Sequence, residues 1–363
     1  VKNSNFEIRI SKLALAAILT AASGSAQEPQ YFEKPKARFT FRWDALARYD
    51  RIYHLRVRPD IERGRFEFRP EIAFEVSDRF KIAARAVGSL GTDENEDNAP
   101  NFDNYRSNGA TLERYYLEAR PGAWTIRAGS FGMPLAATEM LWDRDIQTPG
   151  AAVSWTLPVE TSSLSLAAAG FYGPQRDGDR STIGAGQVLW RVGEPERVSF
   201  EMAAAYWHFQ IDDLKPHYLR QNRSVIRGGT RELESDFRIV DTLVRLRFPV
   251  AGLPVSISLD GLRNFGTETG ENYAFEGQLA VGRLGTPGDW RAFYTYQYVE
   301  RDAVVGAYNT DDWWFHSWYR GHRGGVAVTF LPSVFVQGAV VFQRRLDLKT
   351  TLNRITVDLV KMF

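Results

Sequence analysis

Arg354-Ile-Thr-Val-Asp-Leu-Val-Lys-Met-Phe363 reads as a β-strand with two unlike faces. Ile355, Val357, Leu359 and Phe363 share one side, and Arg354, Thr356 and Asp358 share the other, because side chains along a strand return to the same face every 2 residues. The sequence then stops on an aromatic residue. An unpaired sheet edge is a template for aggregation, so a closing strand of this kind needs a partner. Pairing with the first strand of the same chain removes both edges and closes a barrel. Phe363 is then the barrel-closure signature.

Residues 61–76 repeat the pattern more strongly. Phe66, Phe68, Ile72, Phe74 and Val76, with Pro70 among them, lie on one face; Arg63, Arg65, Glu67, Arg69, Glu71 and Glu75 lie on the other. A face so charged must meet water, and the opposite face is apolar enough for lipid. In a soluble sandwich the apolar face would pack on a second sheet, so this strand alone leaves both architectures open.

Strand spacing separates them. Strands are expected at 37–50, 60–77, 79–91, 111–120, 123–131, 150–157, 162–173, 181–192, 196–209, 236–249, 254–264, 272–284, 288–300, 322–331, 333–345 and 352–363, sixteen in all. Tight turns such as Ser77-Asp78-Arg79, Arg120-Pro121-Gly122 and Leu331-Pro332-Ser333 alternate with long polar segments at 51–59, 92–110, 132–149, 174–180, 210–235, 265–271, 301–321 and 346–351. Short turns on one side and long loops on the other are the pattern of a transmembrane antiparallel β-barrel of the outer-membrane type, with periplasmic turns and extracellular loops. An even strand count puts both termini on the periplasmic side. Two-sheet domains stop growing before this size. Residues 37–363 therefore form one all-β barrel domain.

The amino-terminal residues suit export. Lys2, Arg9 and Lys12 precede the apolar run Leu13 to Ala22 and the small-x-small signal Gly24-Ser25-Ala26. Ten apolar residues are too few for a helical span, which needs about 20. Residues 1–26 are read as a cleaved, Sec-dependent signal peptide and 27–36 as a short periplasmic lead-in. Without residues 1–26, Lys plus Arg falls to 42 and Asp plus Glu to 43, so the formal charge moves from +1 to −1. That balance gives no reason to expect a nucleic-acid partner. Cysteine is absent, so neither disulfides nor thiolate metal sites are available. Aromatics reach 13%, enough for interfacial girdles.

Several stretches resemble a family of bacterial outer-membrane proteins, the putative-porin family. They are Trp290-Arg-Ala-Phe-Tyr-Thr-Tyr-Gln-Tyr298, Arg301-Asp-Ala-Val304, Asn309-Thr-Asp-Asp312, Gly321-His-Arg-Gly324 and the terminal strand. Upstream, Arg127-Ala-Gly-Ser-Phe131 with Pro134, then Asp143, Asp145 and Gly150-Ala-Ala152, is similar to the stretch that leads porins into their third loop. Trp313-Trp314-Phe315 with Trp318-Tyr319 departs from it, because a more glycine-rich loop is expected there. The resemblance implies a general-porin-like barrel in a Gram-negative outer membrane, passive diffusion of small hydrophilic solutes and ions, no cofactor and no enzymatic activity. By analogy with other sixteen-stranded porins it also implies a homotrimer. Its remaining partners would be outer-membrane lipid, lipopolysaccharide and the barrel-assembly machinery.

A barrel of about 16 strands leaves an aqueous channel that side chains alone do not fill. Its narrowest section and lining charges then set what passes. In porins the third long loop folds into the lumen. Here that loop, 132–149, carries Glu139, Asp143, Arg144 and Asp145 beside Met140, Leu141 and Trp142. The apolar residues would pin it to the wall while the carboxylates face the pore. The opposing pore wall would be Arg42, Arg63, Arg65, Arg69, Arg85, Arg114 and Arg127, giving a transverse field across a water-filled slit. The alternative is that these arginines only neutralise Glu67, Glu71, Glu75, Glu113 and Glu118 on neighbouring strands.

Other features allow two readings each. The aromatic cluster Trp313 to Tyr319 is either a stacking platform for a solute or loop and girdle packing. The basic segment 210–235, with Lys215, His217, Arg220, Arg223, Arg227 and Arg231, either binds lipopolysaccharide phosphates or gathers anions, or is simply solvated. Asn222-Arg-Ser224 matches a glycosylation sequon, which means little in a bacterial envelope protein. An outer-membrane phospholipase would need Ser, His and an orienting polar group on the outer face, and none of His54, His208, His217, His316 and His322 has that context. No zinc-ligand spacing is present. A closed barrel acting as adhesin, receptor or assembly platform is the alternative to a channel. Residues 27–36 are too few for a plug domain, which argues against an energised receptor.

Overall fold

Alternating sequences become strands here because each strand satisfies its backbone on both sides and sends unlike side chains to unlike solvents. The protein is described from a computed structural model covering residues 38–54, 60–92, 109–173, 181–194, 197–211, 222–267, 270–349 and 351–362. Phe363, the expected signal peptide at 1–26 and the lead-in at 27–36 lie outside these residues.

In chain order the strands are β1 (Arg38–Tyr53), β2 (Ile61–Ser77), β3 (Phe80–Gly91), β4 (Gly109–Ala119), β5 (Trp124–Gly132), β6 (Gln147–Val159), β7 (Ser162–Tyr172), β8 (Thr182–Gly193), β9 (Ser199–Gln210), β10 (Ser224–Arg227), β11 (Thr230–Leu233), β12 (Phe237–Val250), β13 (Leu253–Asn264), β14 (Tyr273–Gly282), β15 (Trp290–Val299), β16 (Tyr319–Leu331), β17 (Val334–Arg345) and β18 (Leu352–Lys361). All but β10 and β11 form one closed barrel of sixteen strands, each antiparallel to its neighbours. β1 closes it by pairing with β18 from Ala45↔Lys361 to Tyr53↔Asn353. β10 and β11 make a separate hairpin within the segment expected to be a plain loop.

The terminal strand has the two faces its sequence shows. Ile355, Val357 and Leu359 are exposed outward, whereas Arg354, Thr356 and Asp358 are buried against the lumen. The same holds around the ring: Phe39, Phe66, Phe74, Trp190, Trp290 and Val326 are among the exposed outer residues. So large an apolar band is unstable in water and matches a lipid surface.

The interior is divided by chemistry. The inner faces of β7, β8, β9 and β12 contribute Phe171, Ile183, Trp207, Phe209, Phe237 and Ile239 to an apolar core that also includes Met140, Leu141, Trp142, Val304 and Tyr308 from two loops. The inner faces of β1 to β5 and β18 are charged. One β-bulge sharpens that charge. Arg85 pairs with Arg114 but Ala86 pairs with Leu112, so Glu113 is the extra residue on β4. Leu112 and Tyr115 face out, and both Glu113 and Arg114 are turned inward.

Candidate functional site in the barrel lumen

Strict alternation on β2 puts Arg63, Arg65, Glu67, Arg69 and Glu71 in one inward column, and antiparallel pairing places β1 beside it. Arg48 falls directly opposite Arg65, Asp50 opposite Arg63, Asp44 opposite Arg69 and Arg42 opposite Glu71. The Arg48–Arg65 juxtaposition is repulsive by itself. Both guanidiniums are compensated: Arg48 grips Asp358 of β18 through Nε (2.8 Å) and Nη2 (3.0 Å), and Arg65 meets Glu67 (2.7 Å).

Of the rest of the expected wall, Arg63, Arg69, Arg85, Arg114 and Arg127 are likewise ion-paired. Arg63 binds Asp50 (2.8 Å), which also accepts two hydrogen bonds from Arg354 (2.8 and 2.9 Å). Arg69 meets Glu67 (2.7 Å), Arg85 meets Glu113 (2.5 Å), Arg114 meets Glu71 (3.5 Å) and Arg127 meets Glu118 (2.5 Å). Arg42 is exposed. Arginine suits these positions because its planar fork serves two acceptors at once.

The segment between β5 and β6 turns into the barrel. The Ala136 N–H donates to Gln187 Oε1 (2.9 Å) and Gln187 Nε2 donates back to the Ala136 carbonyl (2.7 Å), tying the loop to β8. The Thr138 hydroxyl donates to Asp260 Oδ2 on β13 (2.5 Å). Trp142 stacks between Trp207 (6.1 Å) and Tyr308 (5.3 Å). On the way back Asp145 Oδ1 meets Arg69 (2.9 Å). The acid of the loop and the arginine of the wall are thus in contact, not separated by a water gap at this point. Glu139 pairs with Arg144 of the same loop (2.9 Å), and Arg144 is 74% exposed. Asp143 does not face the pore: it is buried, its Oδ1 accepting from the Asp145 N–H (2.9 Å) and its Oδ2 from the Asp311 N–H (3.3 Å).

A second loop, between β15 and β16, also lies inside. The Asp143 N–H donates to the Tyr308 carbonyl (2.7 Å) and the Thr310 N–H to the Glu139 carbonyl (3.0 Å), so the two loops are joined by their backbones. Asp312 sits between Arg48 (2.9 Å) and Arg323 of β16 (2.5 Å), and Asp311 reaches Arg65 (3.6 Å). Asn222 holds this loop from above, donating to the Arg301 and Val304 carbonyls (2.7 and 2.8 Å) and accepting from the Gly306 N–H (2.8 Å). Arg223 bridges Glu271 (2.5 Å) and Asp302 (3.3 Å). The sequon asparagine is therefore a buried clamp. Of the other basic residues in that segment, Lys215, His217 and Arg220 lie outside the described residues.

The aromatic cluster is packing. Trp313 and Tyr319 are buried with rings 5.7 Å apart, and Trp318 lies under Arg301 (4.6 Å) and Arg345 (5.2 Å). Gly321 makes room for Trp313: a Cβ there would lie 2.7 Å from the indole. His322, facing outward, bonds the Tyr294 hydroxyl (2.7 Å).

The loop carboxylates differ in electrostatics. Burial alone would raise Asp145, but Arg69 and then Arg144 more than offset it and hold the group well below the usual carboxylate range. Asp312 behaves likewise, with Arg323, Arg48 and Arg354 overcoming its burial. Asp143 goes the other way, pushed well up by burial and by repulsion from Asp145 and Asp311. Asp145 and Asp311 each keep about 30% of their side chains accessible, so water reaches the charged side of both loops.

Sequence reasoning placed Arg354 on the inward face but missed Asp311, Asp312, Arg48 and Arg323 as parts of the charged site. Asp311 and Asp312 stood in the Asn309-Thr-Asp-Asp312 stretch, and Arg48 was legible from strand parity. That the loop of Asp312 turns inward has no local sequence signal.

Known proteins supply an independent comparison. Residues 247–337 match the model of a family described as "Putative porin". No curated protein shows a significant match. Among solved structures, Pseudomonas putida OprB at high pH superposes with a TM-score of 0.60 at 10% identity, covering 89% of this chain and 93% of that one. Salmonella typhi OmpF in complex with daunomycin gives 0.53 at 11% identity, covering 90% and 98%. In-vitro folded Vibrio cholerae OmpT, described as a trimer form, gives 0.52 at 9% identity, covering 90% and 99%. At these identities the likeness is one of fold. The chain has the sixteen-stranded barrel fold of bacterial outer-membrane porins and resembles the putative-porin family over its family match.

Proposed function

We propose that the protein is an outer-membrane channel for passive diffusion of small hydrophilic solutes and ions. Its constriction is formed where the inward loop of Glu139, Asp143, Arg144 and Asp145 meets the arginine-lined wall of β1 to β5. The observation that carries this reading is the Arg69–Asp145 contact, made across the lumen between a wall strand and a loop anchored on β8 and β13. The narrowest path then runs beside the accessible edges of Asp145, Asp311 and Arg65, and a solute there meets carboxylates and guanidiniums together. Asp143 serves by fixing the loop, and Glu139 by holding Arg144.

The same reading includes a cleaved Sec signal at 1–26, a periplasmic lead-in at 27–36 and closure signalled by Phe363. Lipid, lipopolysaccharide and the assembly machinery would be its envelope partners. A homotrimer is supported by the trimer form of the Vibrio neighbour. A closed barrel serving as receptor or platform has one observation in its favour, the apolar core that fills the loop side of the lumen.

Planar-bilayer recording of the refolded protein separates the two. Stepwise ohmic conductance supports the channel. A barrel that folds, inserts and stays electrically silent supports the closed alternative.

A further inference from the structure

On the wall of β1 to β5, each arginine named above with an ion pair meets a carboxylate at 2.5–3.5 Å. Across the lumen, where Asp241, Asp260 and Glu276 lie deeper on β12 to β14, two arginines lack such a pair. β8, β9, β12 and β15 place Arg191, Glu201, Arg245, Arg247 and Arg291 on the inner face, because Trp190, Met202, Leu246 and Trp290 beside them face out. All sit near strand ends that lead into short turns, on the periplasmic side of the inward loops.

Glu201 is shared by Arg191 (2.7 Å) and Arg245 (2.6 Å), its direct neighbours in register. Arg247 feels repulsion from Arg245 and Arg191 and attraction from the shared Glu201. Arg291 lies within electrostatic reach of Arg144, the exposed arginine of the constriction loop. Neither Arg247 nor Arg291 makes an ion pair within 4 Å among the described residues, although Glu201 attracts Arg247 from farther away. Arg191, Arg245 and, at longer range, Arg247 thus share Glu201, while Arg291 is repelled by the loop's own Arg144. Arginine stays charged whatever its surroundings, and a water-filled cleft between low-dielectric walls concentrates ions of opposite sign.

From this asymmetry we infer that Arg247 and Arg291, with Arg191 and Arg245 beside them, form an oxyanion-binding vestibule that makes the channel prefer small carboxylate- or phosphate-bearing solutes. Planar guanidinium forks match both groups by paired N–H···O bonds. Ion preference would then reside below the constriction, on unmatched arginines, and not on the ladder of matched ones. The selectivity part rests on the channel proposed above; the binding part does not.

Two measurements test it. Reversal potentials in a potassium chloride gradient should show anion preference, and Arg247→Gln with Arg291→Gln should lower the anion-to-cation permeability ratio several-fold. The exposed pair removed by Arg345→Gln with Asp347→Asn should leave it unchanged. Separately, phenylglyoxal labelling read by peptide mass should modify Arg247 and Arg291, with protection by millimolar acetate or phosphate. The acetate and phosphate arms rank the two oxyanions. Cation preference, or a ratio indifferent to the double variant, overturns the selectivity. Labelling that neither oxyanion slows overturns the vestibule. A silent barrel whose two arginines are still protected would overturn the channel and keep the site.

Discussion

Asp312→Asn is the substitution that most directly asks what holds the second loop inside the barrel. Asp312 is 7% exposed and touches two guanidiniums that are themselves 11% and 12% exposed, Arg48 at 2.9 Å and Arg323 at 2.5 Å. At an effective dielectric near 20, charges about 4 Å apart attract by about 4 kcal/mol, and much of that is offset by desolvation. Breaking a buried pair from one side nevertheless costs about 3–5 kcal/mol, because the remaining charge stays buried. Arg48 keeps Asp358, which argues for the lower end, about 3 kcal/mol. At 1.4 kcal/mol per tenfold, this moves the loop's in–out equilibrium by about two decades towards the displaced state. The assay is single-channel recording, in which a displaced loop raises mean conductance and adds flicker. Asp347→Asn, which breaks an exposed pair worth about 1 kcal/mol or less, is the control. Arg323→Gln with Asp312→Asn should be milder than the sum of the single variants, since both members of one pair are gone. Recordings of Asp312→Asn that superimpose on the parent would refute the claim that this ion pair retains the loop.

Three further outcomes follow from the same geometry. Asp145→Asn removes an accessible loop carboxylate and frees Arg69, so the reversal potential should shift towards anions; no shift would place the ion path elsewhere. The pH dependence has a defined sign: a carboxylate held low stabilises fully above its unfolded value, about 3.9, and loses that stabilisation only as pH falls through the lower folded value. Conductance should therefore hold from pH 7 to about 4 as far as Asp145 and Asp312 are concerned, while Asp143, pushed up, weakens loop anchoring as pH rises, and Asp143→Asn should flatten that rise in channel noise. Gly321→Ala would put a Cβ 2.7 Å from Trp313 and 2.8 Å from the Phe342 carbonyl, an overpacking cost of about 1–3 kcal/mol, whereas Gly338→Ala meets nothing within 4 Å; urea unfolding of the refolded barrel should separate the two.

Much of the fold was legible because its rules are local. Residues 61–76 show their lipid face and water face by period alone, and the structure keeps that assignment through Glu75. All sixteen expected barrel strands are present, with edges displaced by a few residues, as at β16, which begins at Tyr319 instead of 322. The bulge at Glu113 was not legible, since one inserted residue reverses parity without changing composition. The hairpin β10–β11 was hidden in a polar segment with little alternation.

The sequence by itself determined the two-faced strands, their even number and the alternation of short and long connections. Each of these follows from side chains partitioning between lipid and water at a spacing of 2 residues. Only the tertiary structure decided where the charges meet. Asp145 finds Arg69 across 76 positions of sequence and Asp312 finds Arg48 across 264. Loops carry no period that aims them. Their course is set by an apolar contact such as Trp142 on Trp207, and by wall groups that would remain buried and unpaired without them.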